Sequence, residues 1–421
     1  MLSKCIFVGA DSAIGANDNT KFIEYIESFP PETCPLILRP SGFGKSSISR
    51  TLLEYYDMSK AGDFEKHFAG TYIGGHKTAL ASSFRVLRVS FSIFAKRPDK
   101  ALLAVTRNLV IAIKAFSVRY PDFALPEEAL SLERQPSDIL TDFAANYAQK
   151  NKGDKAAPLY VLADGYDRPG VQAAFMEGGP GVKRLDEWKK AVQAYELLFI
   201  CLKKLAGGAQ KGRIFLTGES AYLYGSLLSG FNIANDISQN DETATVTGFT
   251  KEELERIVEK SIDFKKFTGI TKEQVCDEVW KRFGGFIFSP SSKTQMCNSS
   301  NGLFLLTRIA ETGEIPDMRI LRMDREAMEQ ILSLCAPKDK EKLYAALMGR
   351  NWIRAMMPQI LTSDPLRELS LNQAVTLLFN RGFLTYTQDP KAKPDKVKYK
   401  MPNEYARALF SLFAGEKKEE K

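Results

Sequence analysis

Short apolar runs bounded by turn residues recur through the first half of the chain. They are "PLILRP" from Pro35, "FRVLRVSFS" from Phe84, "APLYVLADGYD" from Ala157 and "GRIFLTGES" from Gly212. Runs of this kind predict buried strands of a parallel sheet. Longer stretches with helical spacing lie between them. "SSISRTLLEYYD" follows the first run, "DKALLAVTRNLVIAIKAFSVRY" follows the second, and "LDEWKKAVQAYELLFICLKKLA" precedes the fourth. Strand and helix in alternation predict an open α/β sheet covered by helices.

The pattern changes after Thr247. "FTKEELERIVEKS" opens a helix with a capping box, Thr250 followed by Glu253. Helical stretches then dominate: "TKEQVCDEVWKRF", "LFLLTRIAETG", "REAMEQILSLC" and "DKEKLYAALMGRN". Near the end, "SLNQAVTLLFNRGFLTYTQD" reads as a helix, a glycine at Gly382 and a strand, and "KVKYKMPN" reads as a second strand. A helix feeding a β-hairpin is the outline of a winged helix. The expected division is 1–247 for an α/β nucleotide-binding domain, 248–350 for a helical region, 351–415 for a winged-helix-like module and 416–421 for a charged tail.

Composition narrows the chemistry. At 421 residues the chain is long for one core. The net charge of +7, from 58 basic and 51 acidic residues, is as well explained by a solvated surface as by an anionic partner. The six cysteines are dispersed with no C-x-x-C spacing, and His67 and His76 are the sole histidines. Zinc sites and a Ser-His-Asp triad are therefore poorly supported, and dispersed thiols suit a reducing compartment. The run "ALLAVTRNLVIAIKAF" is interrupted by Arg107 and Lys114, and the apolar N-terminal patch is short for a signal-peptide core. No membrane association is expected, and the cytoplasm or nucleus follows by default.

Candidate chemistry begins at "LILRPSGFGKSSISRTL", Leu36 to Leu52. Its second half has the form of a phosphate-binding loop, G-x-x-x-x-G-K-[ST], with Arg39 at the first glycine position. Such a loop works because glycines let backbone N–H groups converge on phosphate oxygens, and the following helix adds its positive end. Placement directly after an apolar strand and before a helix favours the phosphate reading over a simple glycine turn with a helix cap. Arg39, Ser41, Gly42, Phe43, Gly44, Lys45, Ser46 and Ser47 form the candidate nucleotide-binding set. Lys45 would reach the phosphates, and the Ser46 hydroxyl would take a Mg²⁺ position. Asp164, at the end of "LYVLAD", is the second candidate Mg²⁺ residue and a catalytic candidate. Its alternative is a strand-end cap. Gly165 follows it where water-activating ATPases usually place a glutamate. Thr217, at the tip of "RIFLTGES", is a candidate to hold the attacking water or sense the terminal phosphate, with a strand-end cap as the other reading.

Together these segments resemble the predicted AAA-ATPase-like family, P-loop proteins often fused to a PD-(D/E)xK nuclease domain. The resemblance rests on "NTKFIEYI" from Asn19, "LRPSGFGKSSISRTLLEYYD", "VLADGYDRPG" and "RIFLTGESAYLYGSLLSGFNIANDIS…TVTGFTKEEL". "FGGFIFSP" and "RGFLTYTQD…YKMPNEYARALF" extend it to about Phe413. It implies a P-loop NTPase-type sheet, a helical region and a C-terminal winged-helix-like module, with ATP and Mg²⁺ as cofactors. The family carries arginine at the Arg39 position. This chain departs from it at Ser41-Gly42, where the family has an arginine pair, and at Gly165, where it has an acidic residue, and no nuclease domain is expected in it.

Positioned bases are worth about 10²–10⁴ in rate, so a chain with Lys45, Ser46 and Asp164 but no base is expected to bind ATP and turn it over slowly or not at all. On this reading the protein is a nucleotide-dependent switch or pseudo-ATPase, and Gly165→Glu should raise turnover about 10²-fold. The alternative is a non-enzymatic scaffold that kept the fold and binds a protein or nucleic acid. Lys391, Lys393, Lys396, Lys398 and Lys400 on the expected wing could meet nucleic-acid phosphates, but a solvated hairpin on a module that only packs against the ATPase domain is the favoured reading. A homo-oligomer is an open expectation, and Arg213, Arg256 and Arg282 are equal candidates for an arginine finger.

Overall fold

The computed structural model describes residues 18–93, 100–153, 156–168, 182–207, 211–220, 230–266, 269–317, 325–358, 369–389 and 393–415. The expected charged tail 416–421, Lys391 and most of the "AYLYGSLLSG" stretch lie outside these residues.

All four apolar runs of the first half are strands of one sheet: β1 (Cys34–Leu38), β2 (Arg85–Ser90), β3 (Leu159–Asp164) and β4 (Arg213–Gly218). A fifth, β5 (Ala234–Asp236), completes the order β2-β3-β4-β1-β5, and every pair is parallel. Sequence reading missed β5 because it is a three-residue edge strand, "AND", with no apolar run. The strand order matters for the site. β4 stands between β1, which leads into the phosphate-loop segment, and β3, which ends in Asp164.

Side chains alternate between the faces of the sheet, so each strand serves two cores. Ile37, Val86, Tyr160, Leu162 and Phe215 face a core shared with Leu52, Tyr55 and Tyr56 of α1 (Lys45–Tyr56). Leu36, Leu38, Leu87, Val89, Val161, Ala163 and Leu216 belong to the other core, with Leu109, Ile113 and Phe116 of α2 (Ala101–Arg119) and Leu198 and Leu202 of α3 (Val182–Ala206). By length and composition α2 is apolar enough to cross a membrane, with mean hydropathy 1.6, although sequence reading set it aside for its charges. Arg107 and Lys114 lie on its exposed stripe while Leu109, Ile113 and Phe116 are buried, the pattern of a helix packed on a sheet.

Three helices follow: α4 (Lys251–Ser261), α5 (Lys272–Phe283) and α6 (Ser299–Thr312). The Thr250–Glu253 capping box is present at the start of α4, and Thr271 with Gln274 makes a second at α5. Leu254, Ile257, Val258, Val275, Val279, Leu305, Leu306 and Ile309 form the shared core of this bundle.

The last section holds α7 (Leu371–Asn380), then β6 (Thr385–Tyr386) and β7 (Val397–Lys400), which pair antiparallel. The strand Ile353–Ala355 pairs on the other side of β7 and makes a three-stranded sheet. This section is not remote from the phosphate loop. Gly382, at φ +80, leaves only 3.0 Å between a would-be Cβ and Pro40. The Thr385 hydroxyl donates to Ile287 O at 3.1 Å and accepts from Ile287 N at 2.7 Å. One apolar cluster contains both Leu36 of the sheet and Leu378, Tyr399 and Phe410 of this section.

Candidate functional site

The phosphate-loop segment turns where its glycines allow it. Gly42 and Gly44 have φ of +82 and +90, in the left-handed region that other residues avoid. Gly44 caps α1, whose first residues are Lys45, Ser46 and Ser47. Gly42 is glycine for a second reason: a Cβ there would lie 2.6 Å from Asn298 Oδ1. The start of α6 leans on the loop at this point. Asn298 Nδ2 donates to Ser41 O at 2.8 Å, Ser299 Oγ donates to Gly42 O at 2.9 Å, and Ser300 N donates to the same carbonyl at 2.9 Å. The Ser41-Gly42 departure from the family's arginine pair therefore has a packing partner in α6.

Phe43 points away from the solvent into a small aromatic cluster. Its ring meets Phe286 and Phe288 edge-on, at 4.8 and 5.0 Å between centroids, with Met296 alongside. Arg39 is likewise built into the structure. Its guanidinium donates to Leu38 O at 2.8 Å, Ser238 O at 2.7 Å, Thr243 O at 2.7 Å and Thr247 Oγ1 at 3.2 Å, and lies over Phe288. Burial pulls Arg39 down to about 9, with Asp236 and Tyr386 acting the other way, so it stays charged at neutral pH. Its side chain holds the 238–247 loop against β1. Of Arg39, only the main-chain carbonyl faces the candidate lysine.

Lys45 is 6% exposed, and its ammonium donates to Arg39 O at 2.7 Å and Pro40 O at 2.9 Å. Glu219 Oε1 is 3.8 Å away. Burial lowers the Lys45 pKa, and Glu219 and Asp167 oppose that shift. Ser46 and Ser47 are partly exposed at the first turn of α1.

Asp164 is buried at the end of β3, with Oδ1 accepting from Thr217 Oγ1 at 2.8 Å and Oδ2 accepting from Arg88 Nη2 at 3.0 Å. Arg88 also reaches α1, donating from Nε to Ser49 Oγ at 2.9 Å. Thr217 lies on β4 opposite Ile37 of β1 and opposite Asp164 of β3. The structure thus brings Lys45, Asp164 and Thr217 to the same carboxyl edge of the sheet. A carboxylate oxygen has two lone pairs, so Asp164 keeps acceptor capacity beyond these two bonds. Asp164 and the Ser46 hydroxyl are hard oxygen donors, the ligand type that Mg²⁺ takes. Among the described residues there is no cluster of three or more His, Cys, Asp or Glu side chains that would hold a metal by itself.

Gly165 has φ +73, and Gly165 N and Tyr166 N both donate to Thr217 O, at 2.8 and 3.0 Å. A Cβ at this position would lie 3.2 Å from Arg168 Cδ. The expected gain of turnover in Gly165→Glu is corrected by this geometry. The substitution puts a side chain at positive φ, costing about 1–2 kcal/mol, and crowds Arg168. Thermal melts of Gly165→Glu should show a destabilised protein, with phosphate release no faster than wild type.

Asp167, the next carboxylate along the chain, is buried and already holds three donors. It accepts from Glu219 N at 3.0 Å, Ser220 N at 2.7 Å and Ser220 Oγ at 2.9 Å. Burial and then Glu219 push it above the usual carboxylate value. It ties the turn after β3 to the end of β4.

Sequence reading quoted the run "RIFLTGES" without giving its Glu219 a role, and did not single out Arg88, Arg168 or Arg381. Glu219 pairs with Lys45, with Arg168 at 3.6 Å and with Arg381 at 2.9 Å. Burial pushes its pKa up, but Lys45, Arg381 and Arg168 together bring it below the ordinary value. No short motif marks them, because they come together from three distant segments. Of the arginine-finger candidates, Arg282 is bonded to Glu278 and to Pro316 O, and Arg213 Nη1 donates to Phe29 O, while Arg256 is exposed on α4.

The fold and site define a mixed α/β protein with a five-stranded parallel sheet flanked by helices and a phosphate-loop segment at the carboxyl end of β1. Residues 17–222, just under half of the chain, match the family model described as Predicted AAA-ATPase (AAA-ATPase_like). A solved structure of a Walker-type ATPase from Pyrococcus abyssi is similar in overall path, with a TM-score of 0.49 and 10% identity over 96% of this chain and 98% of that one. No curated protein matches the chain.

Proposed function

We propose that the protein binds ATP with Mg²⁺ at the 39–47 loop and acts as a nucleotide-dependent switch with slow or absent hydrolysis. The observation that carries this reading is the convergence of Lys45, Asp164 and Thr217 at one edge of the sheet, above a loop whose two glycines have positive φ. Backbone N–H groups of such a loop and the start of α1 suit phosphate oxygens. Ser46 and Asp164 would hold Mg²⁺, which neutralises phosphate charge when bound. Slow turnover is supported by the absence of a carboxylate at Gly165 and by the engagement of Asp167 with Glu219 N and Ser220.

The functional division follows the sequence boundaries: residues 1–247 carry the nucleotide, 248–350 cover the loop, and 351–415 are a winged-helix-like module that responds. A basic and aromatic cluster favours nucleic acid as a partner of that module. Arg354 and Lys398 of the module, with Arg350 just before it, lie 5.5, 5.3 and 5.1 Å from the Trp352 ring, a composition suited to phosphates and stacked bases. Titration with DNA at two salt concentrations tests this, and affinity that does not fall with salt counts against it.

The central test is thermal. A ligand bound only by the folded state stabilises it by about 2.7 kcal/mol at 100 times its Kd. MgATP should raise the melting temperature of the wild type and leave Lys45→Ala unmoved. A wild type indifferent to millimolar MgATP ends the nucleotide reading and favours the scaffold.

A further inference from the structure

Glu219 stands one residue beyond β4 and is 6% exposed. It gathers three cations from three separate parts of the chain. Lys45 begins α1, Arg168 lies in the turn after β3, and Arg381 follows α7 in the C-terminal section. Oε1 faces Lys45 Nζ at 3.8 Å and Arg168 Nη2 at 3.6 Å, while Oε2 accepts from Arg381 Nη1 at 2.9 Å. Two guanidinium groups and an ammonium around one anion form the set that recognises a phosphate. The two arginines also reach solvent, with side-chain exposures of 38% for Arg168 and 21% for Arg381, so a ligand can reach them. Lys45 completes the picture: two of its three N–H donors go to loop carbonyls, and its charge faces Glu219 Oε1 at 3.8 Å, too far for a hydrogen bond, so a donor is left for a ligand.

We propose that Glu219 is an internal stand-in for the terminal phosphate of a nucleoside triphosphate, and that Arg168 and Arg381 are ligands of that phosphate. The inference rests on the nucleotide reading above and names who discriminates triphosphate from diphosphate. In the protein without nucleotide, the Glu219 carboxylate neutralises the three cations. When a triphosphate enters the loop, its terminal phosphate takes over Arg168, Arg381 and Lys45, and Glu219 gives them up. A diphosphate ends short of these arginines and leaves the Glu219 pairs in place. Because Arg381 belongs to the section that follows α7, the exchange of its partner is felt outside the sheet.

The experiment is calorimetric titration of the full chain with Mg²⁺ and either ADP or a non-hydrolysable ATP analogue. It compares wild type, Glu219→Gln, Arg168→Gln and Arg381→Gln, each checked by a thermal melt. A hydrogen bond to a charged group corresponds to roughly 10-fold or more in affinity. Arg381→Gln and Arg168→Gln should therefore weaken the triphosphate about 10-fold or more, with ADP changed less than about 3-fold. Glu219→Gln should tighten the triphosphate by about 10-fold, because it removes a competing anion. A triphosphate-to-diphosphate ratio unmoved by all three substitutions overturns this inference and leaves the nucleotide reading standing. No heat with either nucleotide in the wild type removes both. Should a variant not fold, the wild type decides by arginine-selective labelling. Arg168 and Arg381 should be protected by the triphosphate analogue and not by ADP, and equal labelling under both conditions overturns the proposal.

Discussion

Replacing Arg39 with methionine is expected to destabilise the fold by about 3 kcal/mol or more. Methionine keeps most of the length and apolar surface but has no donor. Three main-chain carbonyls, those of Leu38, Ser238 and Thr243, would lose the donor that now serves them inside the protein. Each buried acceptor left without a partner costs about 1–3 kcal/mol. Thr247 Oγ1 and the contact with Phe288, 4.2 Å from the guanidinium carbon to the ring centroid, are lost as well. Arg39→Lys should recover only part of the loss, because one ammonium cannot span acceptors that the planar fork reaches together. Urea unfolding of the three proteins measures this, provided the dependence on urea has the same slope in each. A loss under about 1 kcal/mol would mean that the 238–247 loop is held by its other contacts.

The second large effect is expected at Phe43. Truncating a buried phenylalanine costs about 3–5 kcal/mol through lost burial and the cavity left behind. Phe43 is completely buried, and its edge-on contacts with Phe286 and Phe288 add a directional term. It differs from an ordinary core residue in its position between Gly42 and Gly44, so its ring anchors the loop to the 286–296 segment. Phe43→Ala should therefore lower stability and loosen nucleotide binding together. Phe43→Leu, which keeps much of the volume, should restore most of the stability. Urea unfolding paired with the MgATP thermal shift separates the outcomes. A Phe43→Ala protein that has lost stability but retains full nucleotide affinity would show that the loop keeps its shape without the anchor.

The proposed exchange at Glu219 connects these expectations to function. The loop is held from three directions: by Arg39 through the 238–247 segment, by Phe43 through the aromatic cluster, and by Asn298 and Ser299 at the start of α6. A loop anchored this firmly presents a fixed set of backbone donors. The group free to change partner is then Lys45, together with the arginines around Glu219. A switch built in this way reads charge at the sheet edge and does not require rapid hydrolysis.

Sequence periodicity by itself determined the four apolar strands, the helices around them, the capping box at Thr250 and the glycines of the loop. These are local properties: burial on both faces favours apolar runs, and positive φ favours glycine whatever surrounds it. Lys45, Asp164 and Thr217 could be singled out for the same reason, since each follows directly from its place at a strand or helix end. The edge strand Ala234–Asp236 was invisible because its three residues, one alanine and two polar side chains, make no apolar run. Only the tertiary structure decided that Arg39 is enclosed by the 238–247 loop, that Gly42 has no room for a Cβ beside Asn298, and that Gly165 has positive φ against Arg168. It alone brought Arg381 to Glu219 across 162 positions of sequence. A charge pair of that separation depends on where two distant backbones come to rest, and no periodicity of either segment encodes the distance between them.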